Sequence, residues 1–342
     1  MTYKVAIIGA TGNIGHEVLQ TLATRGFPVS EVIALASGRS SGGDVSFGED
    51  KLLKVQNVKD FNFKGTDIAI FVAGDEVSKE YAPVAAKAGA VVIDSSAAWS
   101  ADADVPLIVP ELNPEDIDGY KKKNIITSPN GVAVQTAFAL KPLHDVAGVK
   151  RIVISTYQAV SDQGRRAMDE LFNQTKALYA SADYKSEIFA KQISFNIIPQ
   201  IGAFVENGNT AEEERIAQEI KKIFKKDLAV SINCVYVPVF VGHSVAVNVE
   251  FDKAMKPTSA REAIRNVKGM LLIDKLDPEE GFVTPAEIAG DDSVYVSRIR
   301  EDASVKHGLN MWIVSDNLRK GGALNIVQIA ELLAKKHLKK KS

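Results

Sequence analysis

The first 130 residues of the chain alternate short apolar runs with stretches of helical periodicity. Most of these runs are rich in Val and Ile and show little polar alternation, which is typical of strands buried on both faces of a sheet. The predicted strands cover residues 4–9, 31–36, 67–73, 90–95, 107–110 and 124–127. Strands separated by helices in this way predict a parallel sheet with right-handed crossovers.

The pattern changes near residue 131, beyond which the apolar runs are longer and two of them alternate more with polar residues. The strands predicted here cover residues 150–159, 294–300, 309–316 and two long segments within 230–251, joined near 240–242. The predicted helices cover residues 132–140, just before Pro142, 165–179, and 320–336. Longer strands with this alternation favour a mixed or antiparallel sheet, and we expect the last helix to pack on the first domain.

A length of 342 residues suits two domains better than one. The predicted fold class is α/β, with an N-terminal Rossmann-type parallel sheet and a second α+β domain that carries a mixed sheet. We assign residues 1–130 plus 320–342 to the first domain, which binds a dinucleotide, and residues 131–319 to the second.

Composition and charge argue against several classes of function. Hydrophobic residues make up 46% of the chain, charged residues 25%, and the formal net charge is −2, so no global field attracts nucleic acid or an acidic membrane. A single cysteine, Cys234, excludes a disulfide framework and a thiolate metal cluster. No apolar run approaches the roughly 20 residues of a membrane helix, and the N-terminus lacks a signal-peptide pattern. We expect a cytoplasmic protein without a metal.

The chain opens on a dinucleotide-binding pattern of strand, glycine turn and helix. Gly9 permits the tight turn, Gly12 lets the backbone approach a pyrophosphate, and Gly15 lets the helix pack closely on the sheet. The helix N-terminus then presents N–H groups to the phosphates. The candidate cofactor-binding residues of this turn are Gly9, Thr11, Gly12, Asn13 and Ile14.

The end of the second strand distinguishes NADP from NAD. An acidic residue there would hold the ribose hydroxyls of NAD, but the chain continues from Ala36 as Ser37, Gly38, Arg39 and Ser40. Arg39 with the hydroxyls of Ser37 and Ser40 can hold a 2′-phosphate. The sequence therefore predicts NADP as the cofactor.

Several longer stretches resemble the aspartate-β-semialdehyde dehydrogenase family. They read GATGNIG, ALASGRSSGG, VPLIVPELNP, ALKPLHD, STYQAVS, AMDELF, PVFVGHS and SDNLRKGGALN, in the order of the family. The resemblance implies NADP, a small-molecule substrate, and a homodimer formed by the second domain. It also implies a reaction of amino-acid biosynthesis, in which a cysteine thiolate attacks an aldehyde, hydride passes to NADP, and phosphate releases the acyl group.

The resemblance also assigns roles to single residues. His243 stands where the family has its general acid/base, a role that suits a side chain titrating near neutral pH. Gln158 stands at a catalytic position, and Arg215 stands where the family has a lysine. The other residues that the resemblance places are Asn130 and Glu212 at the substrate and Gly74 and Asn317 at the cofactor.

At other site positions the chain departs from the family pattern. The family's cysteine follows an Asn at a helix N-terminus, where this chain has Gly131 after Asn130. Ser100 stands where the family has an arginine that holds phosphate, and Tyr236 where it has an arginine that holds the substrate carboxylate. Small residues of the family are replaced by Asp75 and, in the turn after residue 160, by Asp162 and Gln163. Cys234 lies in an apolar stretch, which predicts a buried thiol.

These departures leave competing hypotheses. One is an NADP-dependent oxidoreductase that transfers hydride directly to a changed substrate, with Tyr236 or His243 as the proton donor and no phosphorylating acyl-enzyme reaction. Another is a non-catalytic paralogue that binds NADP or a partner. A third is the family reaction run by another nucleophile. An engineered variant of the family enzyme would give the same pattern.

Overall fold

The computed structural model describes residues 1–38, 40–49 and 51–338 of the chain. These residues form two compact units. One contains Met1–Asn130 together with the chain from Gly322 onward, and the other contains Gly131–Gly321. Among the described residues, none of the helices combines the length and the apolar character needed to span a bilayer.

The first unit is built on a parallel sheet. In the described residues its strands are β1 Tyr3–Ile8, β2 Val29–Ala36, β3 Asp44–Phe47, β4 Lys51–Asn57, β5 Ile68–Phe71, β6 Val91–Asp94 and β7 Ile125–Thr127. Their order in the sheet is β3-β4-β2-β1-β5-β6-β7, and every neighbouring pair except β3 with β4 is parallel. This confirms the predicted Rossmann-type sheet.

Helices cover both faces of this sheet, because its central strand is apolar on both sides. Val5 and Ile7 of β1 belong to a core that includes apolar residues of helix α1, Asn13–Thr24, and of the C-terminal helix α7, Leu324–Lys336. Ala6 and Ile8 belong to a second core with helix α2, Asp75–Lys87. Short 3₁₀ turns at Val58–Asp60 and Pro114–Lys122 complete the unit.

The second unit carries a mixed sheet. Its helices are α3 Gly131–Ala147, α4 Arg165–Tyr179, α5 Ala211–Phe224 and α6 Pro257–Arg265, with 3₁₀ turns at Val160–Gln163 and Pro285–Glu287. Its strands are β8 Val149–Tyr157, β9 Ala229–Asn233, β10 His243–Phe251, β11 Met270–Leu272, β12 Val294–Asp302 and β13 Gly308–Ser315. The order is β11-β12-β13-β10-β8-β9; β8 with β9 and β11 with β12 are parallel, and the other pairs are antiparallel. The predicted mixed sheet is confirmed.

Several element boundaries were predicted wrongly. Helix α3 runs through Pro142 to Ala147, because its buried apolar face continues with Leu143 and outweighs the backbone hydrogen bond that Pro142 cannot make. Residues 107–110 form only a single bridge from Leu107 to Thr127, since Pro106 and Pro110 interrupt strand pairing.

The long strand expected after residue 230 is also shorter than predicted. Strand β9 ends at Asn233, and the N–H of the next residue, Cys234, donates to Glu213 Oε1 at 2.9 Å instead of to a neighbouring strand. The last helix begins at Leu324 rather than residue 320, after a π-helical turn at Arg319–Ala323. The hairpin of β3 and β4 and helix α5 were not predicted.

Candidate functional site

The glycine turn after β1 has the geometry that a dinucleotide requires. Gly9 has φ +95°, and a Cβ atom built there would lie 2.6 Å from the carbonyl oxygen of Val72. A Cβ built on Gly15 would lie 2.1 Å from the carbonyl oxygen of Gly9. Helix α1 begins after Gly12, which has no side chain to cap it, and its first turn contains no acidic residue. The positive end of the helix is therefore suited to bind an anion.

The candidate cofactor residues of the first unit that the structure describes all lie at one edge of the sheet. Strands β2, β1 and β5 are neighbours, and their carboxyl ends point to one edge because the strands are parallel. The residues that follow these ends are Gly9, Thr11, Gly12, Asn13 and Ile14 after β1, Ser37 and Ser40 after β2, and Gly74 after β5. Arg39, predicted to hold the 2′-phosphate, lies outside the described residues.

A polar cluster in the second unit joins four residues named in the comparison with the family pattern. Tyr236 Oη donates to Asp162 Oδ2 at 3.0 Å, and Gln163 Nε2 donates to Tyr236 Oη at 2.7 Å. His243 Nε2 lies 3.9 Å from Asp162 Oδ1, which is too long for a hydrogen bond and is an ion pair only when the imidazole is protonated. We call Asp162, Gln163, Tyr236 and His243 the Asp162 cluster.

The backbone fixes which nitrogen of His243 carries the proton. The N–H of Ala159 donates to His243 Nδ1 at 3.1 Å, so Nδ1 is an acceptor. A neutral imidazole then carries its proton on Nε2, which faces Asp162. In this tautomer the N–H of His243 is on the nitrogen nearer to Asp162, at 3.9 Å from its Oδ1.

Burial and charge shift the acidity of two members of the cluster. Burial alone would raise the pKa of Asp162, but the contact with His243 and its charge, together with donation from Tyr236 and Gln163, bring that pKa below its usual value. The Tyr236 side chain is buried, and burial together with the charge of Asp162 raises its pKa well above the usual value. Asp162 is therefore the ionised member, and Tyr236 is a poor acid.

Gln158 and Cys234 lie beside this cluster. Residue 158 pairs with residue 236 in an isolated parallel bridge, and Gln158 Oε1 is a buried oxygen without a hydrogen-bond partner in the described residues. The thiol of Cys234 is buried, and burial followed by the charge of Glu212 raises its pKa above the usual range. The prediction of a buried thiol is confirmed.

Most of the remaining candidate residues form ion pairs or hydrogen bonds within their own structural unit. Arg215 Nε pairs with Glu219 Oε1 at 2.7 Å. Asn317 Oδ1 accepts from the N–H of Gly242 at 2.9 Å, directly before His243. Ser100 is buried in the first unit, where its hydroxyl donates to the carbonyl oxygen of Ala97 at 3.4 Å. Asn130 is the last residue before α3.

The structure adds functional candidates that were missed in the sequence. Asp162 and Gln163 were noted only as departures from the family pattern, although they contact both Tyr236 and His243. The signal was the acidic residue itself, placed in the turn that precedes α4. A cavity of about 750 Å³ elsewhere in the second unit is lined by residues between Arg261 and Tyr295, and none of the predicted site residues lines it.

Two family sequence models match the chain. The model described as "Semialdehyde dehydrogenase, NAD binding domain" matches residues 4–120, and the one described as "Semialdehyde dehydrogenase, dimerisation domain" matches residues 140–320. The first match confirms that the chain carries an NAD(P)-binding domain.

Relatives match over the whole chain. The aspartate-semialdehyde dehydrogenase of Aquifex aeolicus is 48% identical over 341 residues, which cover 99% of this chain and all of the relative. That of Rickettsia bellii is 46% identical over 336 residues, covering 98% of this chain and 99% of the relative. The crystal structure of aspartate semialdehyde dehydrogenase II from Vibrio cholerae is 43% identical, with a TM-score of 0.95 and coverage of 99% and 100%. The chain therefore belongs to the aspartate-semialdehyde dehydrogenase family.

Proposed function

We propose that this protein is an NADP-dependent oxidoreductase that transfers hydride between the cofactor and a small carbonyl or imine compound, without the acyl-enzyme intermediate and without phosphate. The observation that carries the proposal is Gly131 at the first position of α3. The resemblance places the nucleophile there, and glycine has no side chain to supply one.

The surroundings of Gly131 support this proposal. A Cβ atom built there would lie 2.9 Å from the carbonyl oxygen of Gly321 and 3.2 Å from its Cα atom. Both contacts are with backbone, which moves less readily than the end of a side chain. The packing around residue 131 therefore suits glycine better than any residue with a side chain.

Cys234 is a poor substitute for the missing nucleophile. The thiolate is the reactive form, and burial together with the charge of Glu212 favours the neutral thiol. A reactive cysteine needs an electropositive and partly exposed setting, whereas Cys234 is 1% exposed. We therefore assign Cys234 a packing role.

Direct hydride transfer needs a group that stabilises the oxygen or nitrogen of the substrate as the hydride is added or removed. His243 fits this role, because its Nε2–H is fixed by the N–H of Ala159 and a neutral imidazole can donate to a substrate carbonyl. Tyr236 is less suited to protonate the substrate, since its proton is directed at Asp162 and its pKa is raised. We assign Tyr236 to the positioning of Asp162.

The assay that tests this proposal measures NADPH oxidation by the purified protein with a panel of small aldehydes, ketones and imines. We expect turnover of at least one compound, unchanged by phosphate and by iodoacetamide. We also expect no phosphate-dependent reduction of NADP by aspartate semialdehyde. Strong turnover of that compound, abolished by Cys234→Ser, would show that the family reaction is run by Cys234.

Two other hypotheses for the function are each favoured by one observation. The identity of 48% to an aspartate-semialdehyde dehydrogenase favours the family activity, whereas the glycine at residue 131 argues against it. Asp162, Gln163 and Tyr236 already bind one another, which favours a paralogue that binds NADP or a partner without catalysis. Binding of NADPH without oxidation by any compound of the panel would favour the non-catalytic protein.

We propose NADP rather than NAD because Ser37, Gly38, Arg39, Ser40 and Ser41 follow β2 without an acidic residue. Calorimetric titration should give NADP at least about tenfold tighter binding than NAD, the size expected of a charged hydrogen bond to the 2′-phosphate. Arg39→Ala should remove most of that preference. The control Arg166→Ala, an exposed arginine of the second unit, should leave it unchanged. Equal affinity of the unaltered protein for the two cofactors would contradict the proposal.

The match to a dimerisation domain at residues 140–320 supports a homodimer formed by the second unit. A role in amino-acid biosynthesis in the cytoplasm belongs to the same proposal, since it follows from the family.

A further inference from the structure

The cavity of about 750 Å³ in the second unit has no part in the proposed function. It is lined by residues of α6, of β11 and of the connection to β12, and no residue of the Asp162 cluster lines it. Its volume falls within the roughly 300–1,000 Å³ that are usual for small-molecule sites. Leu272, Ile273, Val283 and Ile288 give it an apolar wall. The cavity can therefore enclose the apolar body of a small molecule.

Hydrogen bonds within the unit hold the walls of this cavity in place. Arg261 Nε pairs with Asp274 Oδ2 at 2.8 Å, and Arg261 Nη2 donates to the carbonyl oxygen of Ile299 at 2.8 Å. The Asp274 side chain is 6% exposed, so this ion pair is largely shielded from water. Trp312 Nε1 donates to the carbonyl oxygen of Val283 at 3.1 Å. These contacts give the cavity a defined shape before any ligand binds.

Other charged side chains of the lining have partners as well. Lys275 Nζ pairs with Glu280 Oε2 at 2.8 Å. Glu287 Oε2 accepts from the N–H of Thr284 at 2.7 Å and also from its hydroxyl. These side chains can bind a charged ligand only by giving up the partners that they have.

Two charged side chains of the lining have no hydrogen-bond or ion-pair partner in the described residues, and they have opposite signs. Arg265 lies in the last turn of α6, one turn beyond Arg261 and on the same helix face. Glu279 lies in the exposed connection after β11, where its backbone N–H donates to Asp277 Oδ1 at 2.9 Å. The lining therefore offers one unpaired cation and one unpaired anion beside an apolar wall.

A zwitterion with an apolar side chain matches these three features together. The guanidinium of Arg265 can hold a carboxylate through two parallel N–H donors, and the carboxylate of Glu279 can accept from an ammonium group. A ligand with one charge would use one of the two side chains and gain less. We propose that the cavity binds a free amino acid whose carboxylate contacts Arg265, whose ammonium contacts Glu279, and whose apolar side chain packs on the apolar wall. This site is separate from the oxidoreductase site and does not depend on the proposed function.

Calorimetric titration with a matched series of ligands tests the two charge requirements. L-phenylalanine is compared with 3-phenylpropionate, which lacks the ammonium group, and with phenethylamine, which lacks the carboxylate. L-leucine provides a second apolar body and is compared in the same way with 4-methylpentanoate and 3-methylbutylamine. We expect at least one of the two amino acids to bind at least about tenfold more tightly than both of its fragments.

Two substitutions test the assigned contacts one at a time. Arg265→Gln should weaken binding of the amino acid at least about fivefold and leave binding of the amine fragment unchanged. Glu279→Gln should weaken binding of the amino acid by a similar factor and leave binding of the carboxylate fragment unchanged. The controls Arg166→Gln and Glu206→Gln remove the same charges from exposed positions of the second unit outside the lining, and both should bind like the unaltered protein.

Tryptophan fluorescence locates the bound amino acid. Trp99 and Trp312 are the two tryptophans of the chain, so Trp99→Phe leaves Trp312 as the reporter beside Val283. Its emission should change with the same concentration dependence as the heat of binding. Failure of both amino acids to bind, binding no tighter than that of the fragments, unchanged affinity in either variant, or a Trp312 emission that does not respond would overturn the inference. Sedimentation in which Arg265→Gln dissociates a dimer, while no amino acid binds, would overturn it in favour of a second copy of the chain covering the cavity.

Discussion

Gly15→Ala is expected to abolish measurable binding of NADPH and to lower the free energy of unfolding by about 3 kcal/mol, the upper part of the range for overpacked sites. The added methyl group would lie 2.1 Å from the carbonyl oxygen of Gly9 and 2.8 Å from the Cα atom of Ala10. Both neighbours belong to the glycine turn, so relief of the clash requires movement of the backbone at the phosphate-binding end of α1. Chemical denaturation and calorimetric titration with NADPH measure the two effects.

Gly119→Ala is the matched control for this variant. Gly119 belongs to the same unit, and its added methyl group would make ordinary contacts of 3.6 Å or more with the side chain of Pro106. We expect its stability to change by less than about 0.5 kcal/mol and its affinity for NADPH to stay the same. If Gly15→Ala bound NADPH as tightly as the unaltered protein, the cofactor would not lie over this turn.

The parallel strands of the first unit could be predicted because their residues obey one simple pattern. Strand β1 has buried side chains on both faces, Val5 and Ile7 toward one core and Ala6 and Ile8 toward the other. A strand of this kind appears in the sequence as a continuous apolar run between turns. Local composition therefore carries most of the information that defines this sheet.

The elements that were missed depend on weaker signals. Strands β3 and β4 at the sheet edge bury only Val45, Leu53 and Val55, so they lack the continuous buried run that marks β1. Helix α5 had a signal that could have been used. Thr210 and Glu213 form a capping box, in which Thr210 Oγ1 accepts from the N–H of Glu213, and Glu213 Oε2 accepts from the N–H of Thr210. Thr followed by Glu three residues later, before an amphipathic run, predicts a helix start.

The Asp162 cluster could not be predicted from local patterns. Tyr236 is 74 residues from Asp162 along the chain, and the two residues are brought together where residues 158 and 236 pair side by side. Motif comparison identified His243 and Tyr236 as site positions, but it gave no distances. The sequence therefore indicated which residues could act together, and the packing of the second unit determined that Asp162 joins them.

Gly131→Cys is expected to create a thiol that reacts with iodoacetamide at pH 7 at least about 100-fold faster than Cys234. Residue 131 is the first residue of α3, where the helix dipole and nearby N–H groups stabilise a thiolate and lower the pKa below the usual value of roughly 8.5. The pKa of Cys234 is shifted in the opposite direction, by burial and by Glu212. Labelling at residue 131 should level off as pH rises past its lowered pKa, whereas labelling of Cys234 should still be rising at pH 9. Mass spectrometry of each peptide over time measures both rates.

The same substitution should lower stability by about 1–2 kcal/mol, because the new Cβ atom would approach the carbonyl oxygen of Gly321 to 2.9 Å. Gly131→Ser is the control, since it adds nearly the same volume without a thiol and should lose similar stability without becoming reactive.

Phosphate-dependent oxidation of aspartate semialdehyde should remain absent in Gly131→Cys, because Ser100 and Tyr236 still replace the arginines that the family uses for phosphate and carboxylate. Adding Ser100→Arg and Tyr236→Arg should raise that activity more than the sum of the single changes, since all three groups would act on one substrate. A thiol at residue 131 that reacts no faster than Cys234 would mean that the start of α3 is not the position of the family's nucleophile, and the argument for a changed reaction would lose its basis.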